Sequence, residues 1–145
     1  MSYHAHASLL IHFVFSTKNR EPLITEDMQP RLWAYVGGIA RTNKMKALAV
    51  GGVSDHIQML LSLHPTVAAD KAVQLIKSGS SKWMHQQGQR MFAWQTGYGA
   101  FTIGVSQVKT TVRYITNQKR HHATKSFAEE WKTFLERHGL TEYAD

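Results

Sequence analysis

Two side chains that could ligate a metal ion alternate along the apolar segment 55–63. If this segment is a strand, its large apolar side chains all fall on one face, because successive residues point to opposite faces: Ile57, Met59, Leu61 and Leu63. His56 and Gln58 then share the other face, roughly 6–7 Å apart, which suits two ligands of one ion. The alternative, that both are ordinary polar residues of a half-exposed strand, stays open on this feature alone.

A second pair with chemical potential lies near the end of the chain. Tyr114 and Gln118 are separated by four residues, so they lie one above the other on a helix. A separate apolar stripe of Val108, Val112 and Ile115 can anchor such a helix to a core. A phenol is a potential nucleophile, although a tyrosine on an amphipathic helix can equally be a residue at the edge of the core.

The elements that position these residues follow from periodicity and turn signals. Strands are predicted at 8–16, 46–53, 55–63 and 100–105, and helices at 25–43, 67–87, 106–120 and 126–138. Ser106 and Ser126 are predicted to cap the last two helices. The order β-α-β-β-α-β with two further helices predicts an α+β, ferredoxin-like antiparallel sheet with a C-terminal helical tail. Helices would cover one sheet face and leave the other free for a ligand.

Length and composition limit the class of protein. The 145 residues suit a single domain, 1–145, with a sheet core over about 8–105 and two helices over about 106–138. The chain has no cysteine, which excludes disulfides, thiolate metal sites and cysteine nucleophiles. No apolar run is long enough to span a membrane, and the first residues lack a secretory pattern, so we expect a cytoplasmic protein.

The charge points to a polyanionic partner. Seventeen Lys and Arg against ten Asp and Glu give a formal net charge of +7, and nucleic acid is the first partner to consider for such a chain. The candidate residues for contacts to nucleic acid, each of which could instead belong to a merely solvated basic face, are Lys18, Arg20, Arg113, Lys119, Arg120, His121 and His122. The two histidines could alternatively form a second metal site.

Several motifs together resemble one family over about 120 residues. They are the run 51–63 (GGVSDHIQMLLSL), Ser80-Ser-Lys-Trp83, the run 94–101 (WQTGYGAF), Tyr114-Ile-Thr-Asn-Gln118, His121-His122 and Ser126-Phe127. In order and spacing the chain resembles the single-tyrosine HUH transposases of the smallest bacterial insertion sequences, the IS200-like transposase family.

The resemblance implies a chemistry for named residues. Tyr114 would attack a phosphodiester of single-stranded DNA, leaving a 5′-phosphotyrosine link and a free 3′-OH. His56 and Gln118 would ligate a divalent ion, Mg²⁺ or Mn²⁺, on the scissile phosphate. The resemblance also implies hairpin-bearing DNA of insertion-sequence ends as substrate, and a homodimer in which the tyrosine acts in cis or in the partner subunit. Apolar residues of the tail helix support a dimer if one sheet leaves them uncovered: Phe127, Trp131, Phe134 and Leu135.

One position departs from the family pattern. The motif has His-hydrophobic-His, whereas this chain has Gln58 at the second histidine. A glutamine can ligate through its carbonyl oxygen, which Mg²⁺ accepts, but the resulting ligand set is weaker. The runner-up hypothesis is therefore a non-cleaving, hairpin-binding regulator of the same fold. An RNA-binding sheet of the RRM type is a third hypothesis, but segment 100–105 lacks that fold's base-stacking signature.

Overall fold

The computed structural model describes residues 6–118 and 126–140. Four strands form one antiparallel sheet in the order β2-β3-β1-β4. The strands are β1 (Leu10–Ser16), β2 (Lys46–Val53), β3 (His56–Ser62) and β4 (Gly99–Thr102), and the helices are α1 (Met28–Thr42), α2 (Ala69–Gln86), α3 (Val108–Thr116) and α4 (Phe127–Arg137). Short 3₁₀ turns lie at Lys18–Arg20 and Val105–Gln107. The α+β prediction, including the ferredoxin-like strand order, is confirmed.

One face of the sheet, called the core face here, packs against α1 and α2. The alternation predicted for β3 is confirmed, because Ile57, Met59 and Leu61 are buried in the same cluster as the helix residues Leu32 and Ile76. Strand β1 contributes Phe13 and Phe15 to this cluster, together with aromatic neighbours from the segment before β4. The core face therefore holds the main apolar core of the described residues.

The opposite face, called the site face, differs from the prediction. It is not open, because α3 and α4 cover it: Ile115 of α3 packs with Leu60, and Phe134 of α4 packs with Val14 and Phe101. The expectation of a face free for ligand is therefore wrong. The apolar side of α4 packs against other residues of the same chain, so its apolar residues no longer support a dimer.

The two predicted serine caps have different outcomes. Ser126 caps α4 as predicted, with its Oγ accepting a hydrogen bond from the Glu129 backbone N–H at 3.2 Å. Ser106 caps no helix, because it lies within the 3₁₀ turn that precedes α3. There the Gln107 side chain accepts from the Gly104 backbone N–H at 2.9 Å. No helix of the described part of the chain has the length and apolarity needed to cross a lipid bilayer.

Candidate active site

His56 begins β3 on the site face and is fully buried. Its Nδ1 lies 2.9 Å from the Asp55 carboxylate, and the Phe127 ring of α4 packs on the imidazole with a centroid distance of 4.5 Å. These two contacts fix the ring plane. If Nδ1–H donates a hydrogen bond to the Asp55 carboxylate, the neutral ring has its lone pair on Nε2, facing the interior of the site, as is common in metal-ligating histidines.

Tyr114 and Gln118 approach His56 from α3 and the residues just after it. The Gln118 amide nitrogen donates to the Tyr114 backbone carbonyl at 3.0 Å, the i to i−4 spacing predicted for the pair. This bond turns the Gln118 carbonyl oxygen toward the sheet, where it lies 3.1 Å from His56 Nε2. The sequence-predicted residues of the strand and of the helix therefore meet in one cluster.

Gln58 lies beside them, with its amide held in a defined orientation. Its carbonyl oxygen lies 2.7 Å from Nε2 of His12, a buried histidine of β1. Its amide nitrogen faces the other way and donates to the Gln118 carbonyl oxygen at 2.8 Å and to the Glu130 carboxylate. To ligate a cation through its oxygen, Gln58 would have to turn its amide over and lose the His12 bond.

The last member of the cluster comes from the tail helix. Glu130 is buried on the sheet-facing side of α4, between Phe127 and Phe134. Burial raises the pKa of the Tyr114 phenol well above its usual value of about 10, and hydrogen bonding to the Glu130 carboxylate raises it further. The Gln58 and Gln118 contacts oppose that shift. The phenol is therefore protonated near neutral pH. It would have to lose that proton when the tyrosine forms a bond to phosphorus.

The donor set can be compared with the needs of a divalent cation. Adjacent ligands of octahedral Mg²⁺ lie about 3 Å apart, given metal–oxygen distances of about 2.1 Å. The 3.1 Å between His56 Nε2 and Gln118 Oε1 matches that spacing. Within 6–118 and 126–140, no three His, Asp or Glu side chains are grouped to hold a metal. A cation here would therefore need amide oxygen as well as imidazole and carboxylate, a combination that suits Mg²⁺ and Mn²⁺.

Two concave surfaces flank the cluster. A groove of about 520 Å³ is lined by Tyr114 and His12, with Arg137 and His138 of the tail among its other walls. A second cavity of about 260 Å³ is lined by Tyr98 and the α4 residues Phe127 and Trp131, together with Arg20. Tyr114 therefore borders a groove that an extended polymeric ligand could enter.

The predicted basic residues are placed unequally. The Arg20 guanidinium lies 5.0 Å from the centroid of the Phe127 ring, which itself packs on His56, so Arg20 borders the cluster. Lys18, in the same turn, and Arg113, on α3, are exposed. The other four candidates lie outside the described residues: Lys119, Arg120, His121 and His122.

Two residues of the cluster were missed by the sequence analysis, although each had a signal. His12 lies two residues before Val14 in β1, so the two side chains share a face, and the pairing of Val14 with Gln58 makes that face the site face. Glu130 lies three residues after Phe127 and four before Phe134, inside the apolar stripe of α4. A carboxylate within an apolar stripe is an unusual choice that signals a specific partner.

Comparisons with known proteins bear on the family and on the fold of the chain. A family model described as "Transposase IS200 like" matches residues 5–118. A solved structure of a candidate transposase from Deinococcus radiodurans is 20% identical, with a TM-score of 0.66 over 81% of this chain and 96% of that one. A REP-associated tyrosine transposase, solved bound to a REP hairpin, is 16% identical, with a TM-score of 0.55 over 99% of this chain and 78% of that one. No curated protein matches the chain significantly.

Proposed function

This chain belongs to the IS200-like transposase family, and we propose that it cleaves and rejoins single-stranded DNA at the ends of an insertion sequence. In the cleavage step the Tyr114 phenolic oxygen forms a bond to phosphorus and the P–O3′ bond breaks. The phenol gives up its proton and the departing 3′ oxygen takes one up, so that a 5′-phosphotyrosine and a free 3′-OH result. Rejoining is the reverse reaction with a different 3′-OH.

One observation carries this proposal. The Tyr114 side chain hydrogen-bonds within the same cluster as His56, Gln58 and Gln118, and all four belong to one chain. A bare phenol is a poor nucleophile, so a productive site must surround it with groups that can position a phosphate and accept charge. The arrangement brings the attacking oxygen to the groups that would hold the ion.

A divalent ion is part of the proposal. His56 and Gln118 would hold Mg²⁺ or Mn²⁺, with position 58 beside them. When bound, such an ion acts as a Lewis acid on a phosphoryl oxygen. The protein groups have separate tasks: Asp55 orients the imidazole, and the bond from Gln118 to the Tyr114 carbonyl ties the tyrosine helix to the ligand cluster.

The surroundings of the cluster support a nucleic-acid substrate. Arg20 and Arg137 line the two concave surfaces that flank Tyr114 and His56, and the whole chain carries a net charge of +7. Exposed Lys18 and Arg113 add positive charge nearby for phosphate contacts. A structural neighbour is bound to a REP hairpin, and we extend hairpin-bearing single-stranded DNA to this chain as its proposed substrate.

The second candidate function is a hairpin-binding regulator that does not cleave. It is favoured by the orientation of Gln58, whose carbonyl oxygen faces His12 rather than the other ligands. The two functions share fold and DNA binding, so binding assays cannot separate them, whereas a covalent adduct can.

The deciding experiment is a covalent-capture assay. Purified protein is incubated with hairpin-bearing single-stranded DNA and Mn²⁺ or Mg²⁺, and denaturant-resistant adducts are resolved by electrophoresis. We expect an adduct with the unmodified chain and none with Tyr114→Phe, which keeps the ring but loses the attacking oxygen. Tyr35→Phe, on a half-exposed ring of α1 away from the cluster, is the control and should form the adduct normally. An adduct with Tyr114→Phe would exclude Tyr114 as the nucleophile.

A homodimer remains a proposal that rests on the family alone, and light scattering at about 10–50 μM tests it because association depends on concentration. Whether the tyrosine acts in cis or in the partner subunit can be tested separately by mixing Tyr114→Phe with His56→Asn. Each variant lacks one part of the site, so attack in cis predicts no adduct from the mixture. An adduct from the mixture would instead mean that the tyrosine serves the partner subunit.

A further inference from the structure

We propose that Glu130 of α4 is a ligand of the divalent cation, so that the tail helix supplies the anionic donor of the metal site. This inference rests on the proposed function, since it concerns the same cation. It adds a residue that lies beyond the segment matched by the family model, 5–118. It also assigns the tail helix a direct part in the site rather than a purely structural one.

Charge is the first reason. The other donors of the cluster are an imidazole and amide groups, none of which carries a negative charge. Hard divalent cations prefer sites with carboxylate oxygen. Glu130 is the carboxylate that reaches the interior of the cluster, and it is 3% exposed.

Geometry is the second reason. The Glu130 and Gln118 side-chain oxygens both accept from a single atom, the amide nitrogen of Gln58. Gln118 Oε1 is in turn 3.1 Å from His56 Nε2. Three possible ligand atoms from three different elements thus surround the same small volume: the Gln58 amide group donates to two of them, and His56 Nε2 lies within hydrogen-bond distance of the Gln118 oxygen. A cation that attracts the same lone pairs would be held by these three donors.

The third reason concerns Gln58 itself. His12 donates to the Gln58 carbonyl oxygen at 2.7 Å and so keeps that oxygen away from the Gln118 and Glu130 oxygens. Gln58 is therefore positioned as a hydrogen-bond donor to the ligands rather than as a ligand. Because Gln58 donates hydrogen bonds and does not ligate the cation, the Glu130 carboxylate takes the place of the second histidine of the family motif as a metal ligand.

The inference also links metal binding to the docking of the tail helix. Glu130 lies on the buried side of α4 with Phe127, whose ring packs on His56 at 4.5 Å, and with Phe134, which contacts the Tyr114 ring at 5.8 Å. A cation shared by Glu130 and His56 would join α4 to β3. Ligand binding to the folded state stabilises it, so Mn²⁺ should slow amide hydrogen exchange in α4.

The test measures binding of Mn²⁺ alone to the full chain, by titration calorimetry and by the loss of the free-ion EPR signal. We expect Glu130→Gln to weaken Mn²⁺ binding by at least about 10-fold, the lower end of the effect of perturbing a metal site. It should also reduce the rise in melting temperature that Mn²⁺ gives the unmodified chain. Glu136→Gln is the matched control: it removes the same charge from an exposed position of the same helix and should bind Mn²⁺ unchanged.

The outcomes separate this inference from the proposed function. If Glu130→Gln binds Mn²⁺ as the unmodified chain does while His56→Asn does not, Glu130 is not a ligand and the proposed function stands. If Glu130→Gln loses Mn²⁺ but the unmodified chain forms no DNA adduct, the ligand assignment stands and the proposed function fails. Absence of Mn²⁺ binding by the unmodified chain overturns both.

A second variant covers the case in which Glu130→Gln does not fold, as judged by circular dichroism. Glu130→Asp keeps the carboxylate on a side chain one methylene shorter. If the Glu130 carboxylate is a ligand, moving it in this way should weaken Mn²⁺ binding and reduce the rise in melting temperature. Unchanged affinity in a folded Glu130→Asp chain would overturn the assignment.

Discussion

The two faces of the sheet are built from alternate residues of the same strands, and they have opposite chemistry. Along β3, Ile57, Met59 and Leu61 enter an apolar core, whereas His56 and Gln58 enter a buried polar cluster. Both faces are closed to solvent at these positions. The comparison shows that burial alone does not distinguish a core from a site in this protein, and that the identity of the buried groups does.

The two faces also differ in what closes them. The core face is covered by α1 and α2, which lie between the strands in the chain, whereas the site face is covered by the last two helices. Apolar contacts are tolerant of small shifts, but a cluster of directed hydrogen bonds depends on the position of each donor and acceptor. Changes on the core face should therefore act on stability, and changes on the site face should act on function.

The largest expected effect is on the core face. Met59→Ala should lower the free energy of unfolding by about 2–5 kcal/mol, since it removes a fully buried side chain from the main cluster. Denaturant titration followed by circular dichroism measures this loss. Met91→Ala is the control, because Met91 is 85% exposed and its truncation should change stability by no more than about 0.5 kcal/mol. Equal effects of the two variants would contradict the assignment of Met59 to the core.

The core face was predictable from the sequence because it depends on local alternation. The apolar positions of β3 needed no knowledge of which element would pack on them, and the predicted facing is the observed one. His56 and Gln58 were placed together for the same reason, and Tyr114 with Gln118 by helical spacing. That the two pairs meet was expected from the family resemblance rather than from spacing.

The rest of the site was not predictable because it depends on how distant elements dock. The carboxylate within the apolar stripe of α4 indicates that Glu130 has a partner, but the sequence does not show which one, because Glu130 enters the cluster only when α4 packs across the sheet. His12 joins through the pairing of β1 with β3, which strand alternation alone does not specify. The prediction of an open sheet face was wrong for the same physical reason, because the sequence pattern does not show where the last helix packs.

The second prediction displaces the tyrosine helix. A Cβ on Gly51 of β2 would lie inside contact distance of the Ile115 carbonyl oxygen and 3.1 Å from its carbonyl carbon, so Gly51→Ala must push α3 away from the sheet. A misplacement of about 1 Å can cost about 100-fold in rate, and we expect a loss of that order in adduct formation. Single-turnover adduct kinetics measure it.

Gly37→Ala is the matched control for that change. A Cβ there meets nothing within 4 Å, and the glycine lies inside α1 on the core side of the molecule. We expect normal adduct kinetics and a gain of about 0.5–1 kcal/mol in stability from the better helix former. Normal adduct kinetics in Gly51→Ala would mean that the distance of α3 from the sheet does not control the chemistry.

The third prediction restores the family pattern on the site face. Gln58→His should tighten Mn²⁺ binding by about 10-fold, because it would place an imidazole ligand beside His56 where Gln58 now serves as a hydrogen-bond donor. The gain should be smaller with Mg²⁺, which favours oxygen ligands. Calorimetry with both ions measures the difference. Equal affinities for both chains with both ions would mean that position 58 does not contact the cation, and an inactive parent chain made active by the histidine would favour the regulator hypothesis.

The smallest expected effect concerns the pH dependence of stability through His12. Burial lowers the pKa of His12 below its usual 6.5, although the hydrogen bond to Gln58 and the nearby Glu130 carboxylate oppose the shift, and His138 also faces the ring. Below pH 6.5 the unfolded chain therefore takes up a proton at this site that the folded chain does not. Stability should fall as the pH is lowered from 6.5 toward the folded-state pKa, by at most about 1.4 kcal/mol per pH unit.

His12→Gln isolates this contribution from the other histidines, since an amide can still donate to Gln58 but does not titrate. Urea unfolding at pH 7 and at pH 5.5 should show a smaller loss on acidification for the variant than for the unmodified chain, with the difference at or below about 1 kcal/mol. Identical acid dependence in His12→Gln and the unmodified chain would show that the site face does not hold His12 in its neutral form. The two faces would then differ in the contacts that their side chains make but not in how folding changes proton binding.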